Sequence, residues 1–184
     1  MPTEKTPPPD AAGEALRSAA AELFEYAIAR EELHHIMALL PEQLPVDRGK
    51  VEYELQLLKI ITVGWSITFF LEEFPHKEPL AVLYWQAVQA FSRRLSETTE
   101  LMTGGDVDYF EVLRARLDLY VDALARGGDG AAAASADAGA ADPAAIIGPA
   151  FAGNCDAADD VFTIMSGSRM FVAATGRARQ MLEA

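Results

Sequence analysis

All three histidines of the chain lie in two short stretches, EELHH at residues 31–35 and EEFPH at residues 72–76. Each has a carboxylate three residues before it, as Glu31/His34, Glu32/His35 and Glu73/His76. An acid and an imidazole one helical turn apart share a helix face. Together they can ligate a divalent metal or relay a proton.

Their direction decides which chemistry is open. On a single helix running from Asp10 to Leu40, the apolar stripe contains Leu16, Ala20, Leu23, Ala27 and Ala38. His34 falls at the centre of that stripe and Glu31 about 60° from it, so this pair is predicted to face inward. Glu32 points away, which leaves Glu32/His35 peripheral. A buried Glu31 needs a cation or a polar pocket. Arg30, Lys59 or His34 supplies one in a polar knot between the first two helices.

Two sharper readings stand beside that knot. The first is a single divalent metal held by His34, Glu31 and either Glu73 or His76. Pro75 separates Glu73 from His76, so those two do not share a regular helix. Glu97, Glu100, Glu111 and Asp118 project outward, so the four-helix dinuclear arrangement lacks ligands. The second is a small-ligand pocket with Glu31 and His34 at its mouth, lined by Trp65 and Phe69 from the aromatic group that also holds Phe70, Tyr84, Trp85 and Phe91.

Other signals are weaker. Phosphate-loop, dinucleotide-binding, HExxH and GxSxG motifs are absent. SGSR at 166–169 reads as helix interior rather than as an anion seat. Cys155 is the only cysteine, so no internal disulfide can form; with Asp156, Asp159 and Asp160 nearby, it reads as structural or incidental.

The elements that must position these residues are helical. Ala, Leu, Glu and Arg are abundant, and strong strand formers are not gathered into alternating runs. Caps and breakers divide the chain. Asp10 opens a helix that Pro41 and Pro45 close, and Asp47 opens one that ends at Phe74. Pro79 starts a third, which stops at Gly104–Gly105, and Asp106 caps a fourth, which stops at Gly127–Gly128.

GGDGAAAASADAGAAD, residues 127–142, reads as a flexible linker. Asp142–Pro143 opens a short helix interrupted near Gly148–Pro149, and a last helix runs from about Asp156 to Leu182. The helix after Asp47 is apolar almost all round, which puts it in the middle of a bundle. Gly167, Gly176 and neighbouring alanines give the last helix a smooth side that another helix can approach.

The expected fold is therefore all-α. Residues 1–9 form a disordered tail, 10–126 a core of four long helices, 127–142 the linker, and 143–184 a helical segment docked on the bundle or on a partner subunit. Truncation after Gly128 is expected to leave a helical, less stable bundle.

Charge bounds the function. The net charge of −13 disfavours nucleic acid and anionic membranes. Residues 1–160 hold 12 Lys/Arg against 27 Asp/Glu, whereas 161–184 hold three arginines against one glutamate. The charge-free stretch Ile60–Leu71 is 12 residues long, short of the roughly 20 needed to span a bilayer.

These features predict a cytoplasmic, homo-oligomeric, non-catalytic binding, adaptor or regulatory protein acting through protein–protein contacts, with a basic protein partner and no cofactor. The alternative is a small-ligand- or metal-binding bundle with a Glu/His site between the first two helices, with or without enzymatic activity.

Overall fold

A computed structural model describes residues 9–43, 45–70, 76–134 and 142–183. It is all-α, with seven helices and no strand among the described residues. They are α1 (Pro9–Ile28), α2 (Glu31–Ala38), α3 (Arg48–Phe70), α4 (Lys77–Thr103), α5 (Tyr109–Ala134), α6 (Pro143–Asn154) and α7 (Val161–Leu182).

The architecture is a central helix with a wrapping. Helix α3 touches each of the other six, as expected for a helix that is apolar almost all round. Val51, Leu55, Leu58, Val63 and Ile67 along it are fully or almost fully buried. Gly64 lets α4 come close: a Cβ there would lie 2.4 Å from the Trp85 ring and 2.9 Å from that of Tyr84. The Tyr84 hydroxyl donates to the Ile60 carbonyl at 2.7 Å, tying α4 to α3 inside the core.

The C-terminal helices dock on the same chain. Helix α7 packs against α6 and α3, and also touches α1 and α2. Gly148 and Gly167 let α6 and α7 approach: a Cβ at Gly167 would meet the Phe151 ring at 2.6 Å, and one at Gly148 would meet the Ser168 hydroxyl. Gly176 is not used in this way within the chain, since a Cβ there meets nothing. It lies on the outer side of α7.

Local signals set most helix ends. The Asp142 side chain accepts from the Ala144 amide at 3.0 Å, and Gly104 closes α4 with φ 68°. Asp47 accepts from the Gly49 amide at the start of α3. Four expectations shift. Asp108, not Asp106, caps α5, accepting from the Phe110 and Glu111 amides. The last helix starts at Val161 rather than near Asp156, and Asp160 caps it, accepting from the Thr163 amide at 2.7 Å. Helix α6 runs through Pro149 without interruption. Helix α5 continues past Gly127 to Ala134, so the first half of the expected linker is helical; residues 135–141 lie outside the described residues, as do 1–8 of the expected tail.

Candidate functional site

The expected first helix is two helices. Between α1 and α2 the chain leaves helical geometry at Ala29 and Arg30, where Arg30 has φ −104° and ψ 3°. No glycine or proline marks the break. Side chains of α3 take up backbone carbonyls beside it: Gln56 donates to Ala27 at 2.7 Å and Lys59 donates to Ala29 at 2.8 Å. Helix ends leave carbonyls without intrahelical partners, so α3 stabilises the interruption from outside.

Lys59 is fully buried, and that is tolerable because its charge is met on several sides. Its ammonium pairs with Glu32 at 2.7 Å and lies 4.2 Å from the Tyr26 ring centroid. Burial pushes the Glu32 carboxyl up, but the Lys59 hydrogen bond and charge outweigh it with the other hydrogen bonds there, and the group is held below the usual glutamate range. Burial and the nearby Glu32 charge raise the Tyr26 hydroxyl above its ordinary range.

The break also overturns the expected orientation of the Glu/His pair. Restarting the helix at Glu31 puts Leu33, Ile36 and Leu40 in the core. Glu31, His34 and His35 are exposed, and the inward acid is Glu32. His76 is exposed at the start of α4, and Glu73 lies outside the described residues. Among the described residues no three His, Cys, Asp or Glu side chains gather as a metal site would require. With Glu31 and His34 facing solvent, the metal reading loses its geometric premise.

Trp65 and Phe69 do come together. Their rings stack at 4.9 Å between centroids, and Trp65 also meets Phe171 of α7 at 5.8 Å. They form a seam between α3 and α7, with Phe69 largely exposed. Trp65 lines a small cavity of about 20 Å³ with Ile147 and Phe171, whereas Glu31 and His34 are exposed on α2, so none of the cavities and clefts described here joins those four residues.

A different cleft lies where the α1–α2 break, α3, α4 and the start of α5 meet. It holds about 380 Å³. Leu57, Ile60, Phe91, Leu95 and Leu113 give it apolar walls, and Tyr53 and Tyr109 meet edge-on at 6.5 Å between centroids. Arg30 and Glu52 form an ion pair among the lining residues, joined by Gln56 and Ser92. A second, more open groove of about 620 Å³ runs between α2 and α7, lined by Ile36, Leu39, Val172 and Ala173 with Glu32, His35, Ser168 and Arg169.

A further polar cluster joins α3, α5 and α6. Glu54, 1% exposed, accepts two bonds from Arg116, at 2.8 Å to Nε and 2.7 Å to Nη2. This fork-to-carboxylate geometry satisfies a buried acid well. Asn154 donates to the Tyr120 hydroxyl at 3.3 Å nearby. Cys155 is buried, and burial with the neighbouring Glu54 charge pushes its thiol up to about 12. Burial and the raised thiol both disfavour the reactive thiolate there.

Sequence reasoning missed the cleft residues Tyr53, Gln56, Tyr109 and the Arg30–Glu52 pair, and it missed Glu54–Arg116. A usable signal existed for Glu54 and Lys59. Both are charges on a helix with almost no polar side, so both had to find partners inside. Comparison with protein-family models, curated proteins and solved structures finds no match for this chain.

Proposed function

We propose that the protein is a non-catalytic binding protein of regulatory type that takes a small, uncharged, largely apolar molecule into the α3–α4–α5 cleft. The observation behind this reading is the cleft itself. Its volume of about 380 Å³ falls within the roughly 300–1,000 Å³ typical of small-molecule sites, which are mostly apolar with a few polar groups that fix orientation. Glu52 already neutralises Arg30, and a chain of net charge −13 repels anions. A neutral ring system with one hydroxyl or carbonyl suits these walls: its apolar body fits Leu57, Phe91 and Leu113, and its polar end reaches the ion pair or Gln56.

The uncharged, environment-sensitive dye Nile red tests this. Saturable binding near one equivalent with blue-shifted emission is expected. Leu95→Glu, at the part-exposed edge of the cleft, should weaken it by about tenfold or more, since a carboxylate does not desolvate there without cost. Binding that never saturates, or that ignores Leu95→Glu, would remove the support for this site.

The acidic excess favours a second reading, contact with a basic protein partner in the cytoplasm. Retention of such a partner should weaken steeply as salt rises; retention indifferent to salt counts against it.

A further inference from the structure

Surface helices of a monomer have one apolar face, turned to the core. Helix α7 has two. Its inner face buries Thr163, Gly167, Met170, Phe171, Ala174 and Ala178. On its outer face, over the first four turns, Val161, Phe162, Met165, Val172, Ala173 and Gly176 are all exposed, and Arg169 is the one charge among them. Phe162, Met165 and Val172 keep 50%, 42% and 58% of their surface in water. Arg169, Val172 and Ala173 of this ridge also form the α7 wall of the α2–α7 groove, across which Leu39 is 51% exposed. Exposed apolar surface of this extent on a helix that the rest of the chain has already docked marks a contact face.

We infer that this face is the seat of a second copy of the chain, packed about a two-fold axis so that the α7 ridge of each copy enters the α2–α7 groove of the other. Two observations select that occupant. The face carries ridge and groove side by side, which is the self-complementary arrangement an isologous contact requires. Charge points the same way. Residues 161–184 hold three arginines against one glutamate, in a chain of net charge −13. Against that acidic chain this segment is a basic exception, and Arg169 and Arg177 of one copy approach the exposed Glu31 of α2 in the other. The open space over Gly176 is where the second helix comes closest.

Sedimentation of the full-length chain at micromolar concentration, with circular dichroism of the same samples, decides the matter. The wild-type chain should sediment as a dimer. Met165→Glu and Val172→Glu, at exposed positions that the monomer does not pack, should each raise the dissociation constant about tenfold or more and leave the helical signal intact. Gly176→Leu gives an independent readout. It replaces a helix-interior glycine where a side chain meets nothing, so the dilute monomer should melt higher while the dimer weakens. A monomeric wild-type chain overturns the inference, and so does a dimer that all three substitutions leave unchanged. The outcome is independent of the ligand cleft, because none of these residues lines it.

Discussion

Among the described residues, fully buried charge is confined to α3, at Glu54 and Lys59, and its partners decide what each residue contributes. Glu54 is enclosed and held by two nitrogens, Nε and Nη2, of the Arg116 guanidinium. Arg116→Ala would leave that acid unpaired in the core and should cost roughly 3–5 kcal/mol, readable as a fall in urea midpoint. Replacing both residues by Leu should cost far less, because no orphan charge remains; equal losses for the single and double variants would contradict this account. Glu32 makes a pH prediction. Its carboxyl is held below the usual range in the fold, so the protonated form is disfavoured there relative to the unfolded chain. Its stabilising contribution is complete above the ordinary glutamate pKa and is lost as pH falls through that range toward the lower folded value. Melting temperature should therefore fall between about pH 5 and 3, and Glu32→Gln should flatten the fall. Cys155 should be unreactive toward thiol reagents at pH 8 until the chain is unfolded, since its thiol sits at about 12. Rapid labelling of the folded protein would show that the site is open.

At the scale of elements, what was legible in the sequence and what was not divide along a physical line. Helix starts at Asp47 and Asp142 and the stop at Gly104 are written in local chemistry, a side-chain acceptor for free amides or a residue tolerant of positive φ. The central place of α3 followed from its apolar circumference. The break at Ala29–Arg30 had no local marker, because what satisfies its backbone is Gln56 and Lys59 from another helix. That one tertiary effect moved the inward position from His34 to Leu33 and carried the Glu31/His34 site with it. The cleft was illegible for the same reason, since it exists only where three separate elements meet the break. Gly64 tests the packing that puts α4 on α3. Gly64→Ala raises helix propensity yet drives a methyl into the Trp85 and Tyr84 rings. Overpacking should win, with a loss of about 1–3 kcal/mol in chemical unfolding; a gain in stability would mean that α4 can move away freely.

The whole molecule poses the question of how much of it folds alone. The expectation was a four-helix core that stays helical, though less stable, without residues 143–184; in the structure α7 and α6 complete the surroundings of α3. Phe151 and Met170 are fully buried, Ile147 almost so, and Phe171 nearly so against Trp65. At about 2 kcal/mol for each large apolar side chain buried, those four alone contribute roughly 8 kcal/mol. That is comparable with the entire net stability of about 5–15 kcal/mol expected for a domain. Removal of residues 143–184 would also open the Glu54–Arg116 cluster at the end where Asn154 and Cys155 close it. The shortened chain should keep much of its helical far-ultraviolet signal, lose the near-ultraviolet signal of Trp65 and its neighbours, and melt without a cooperative transition. Adding residues 143–184 back as a separate peptide should restore the transition, because the surface that they complete is preserved in sequence. A shortened chain that melts sharply by itself would make α6 and α7 an accessory to an already finished bundle, and α3 would have to bury its α7-facing side in some other way.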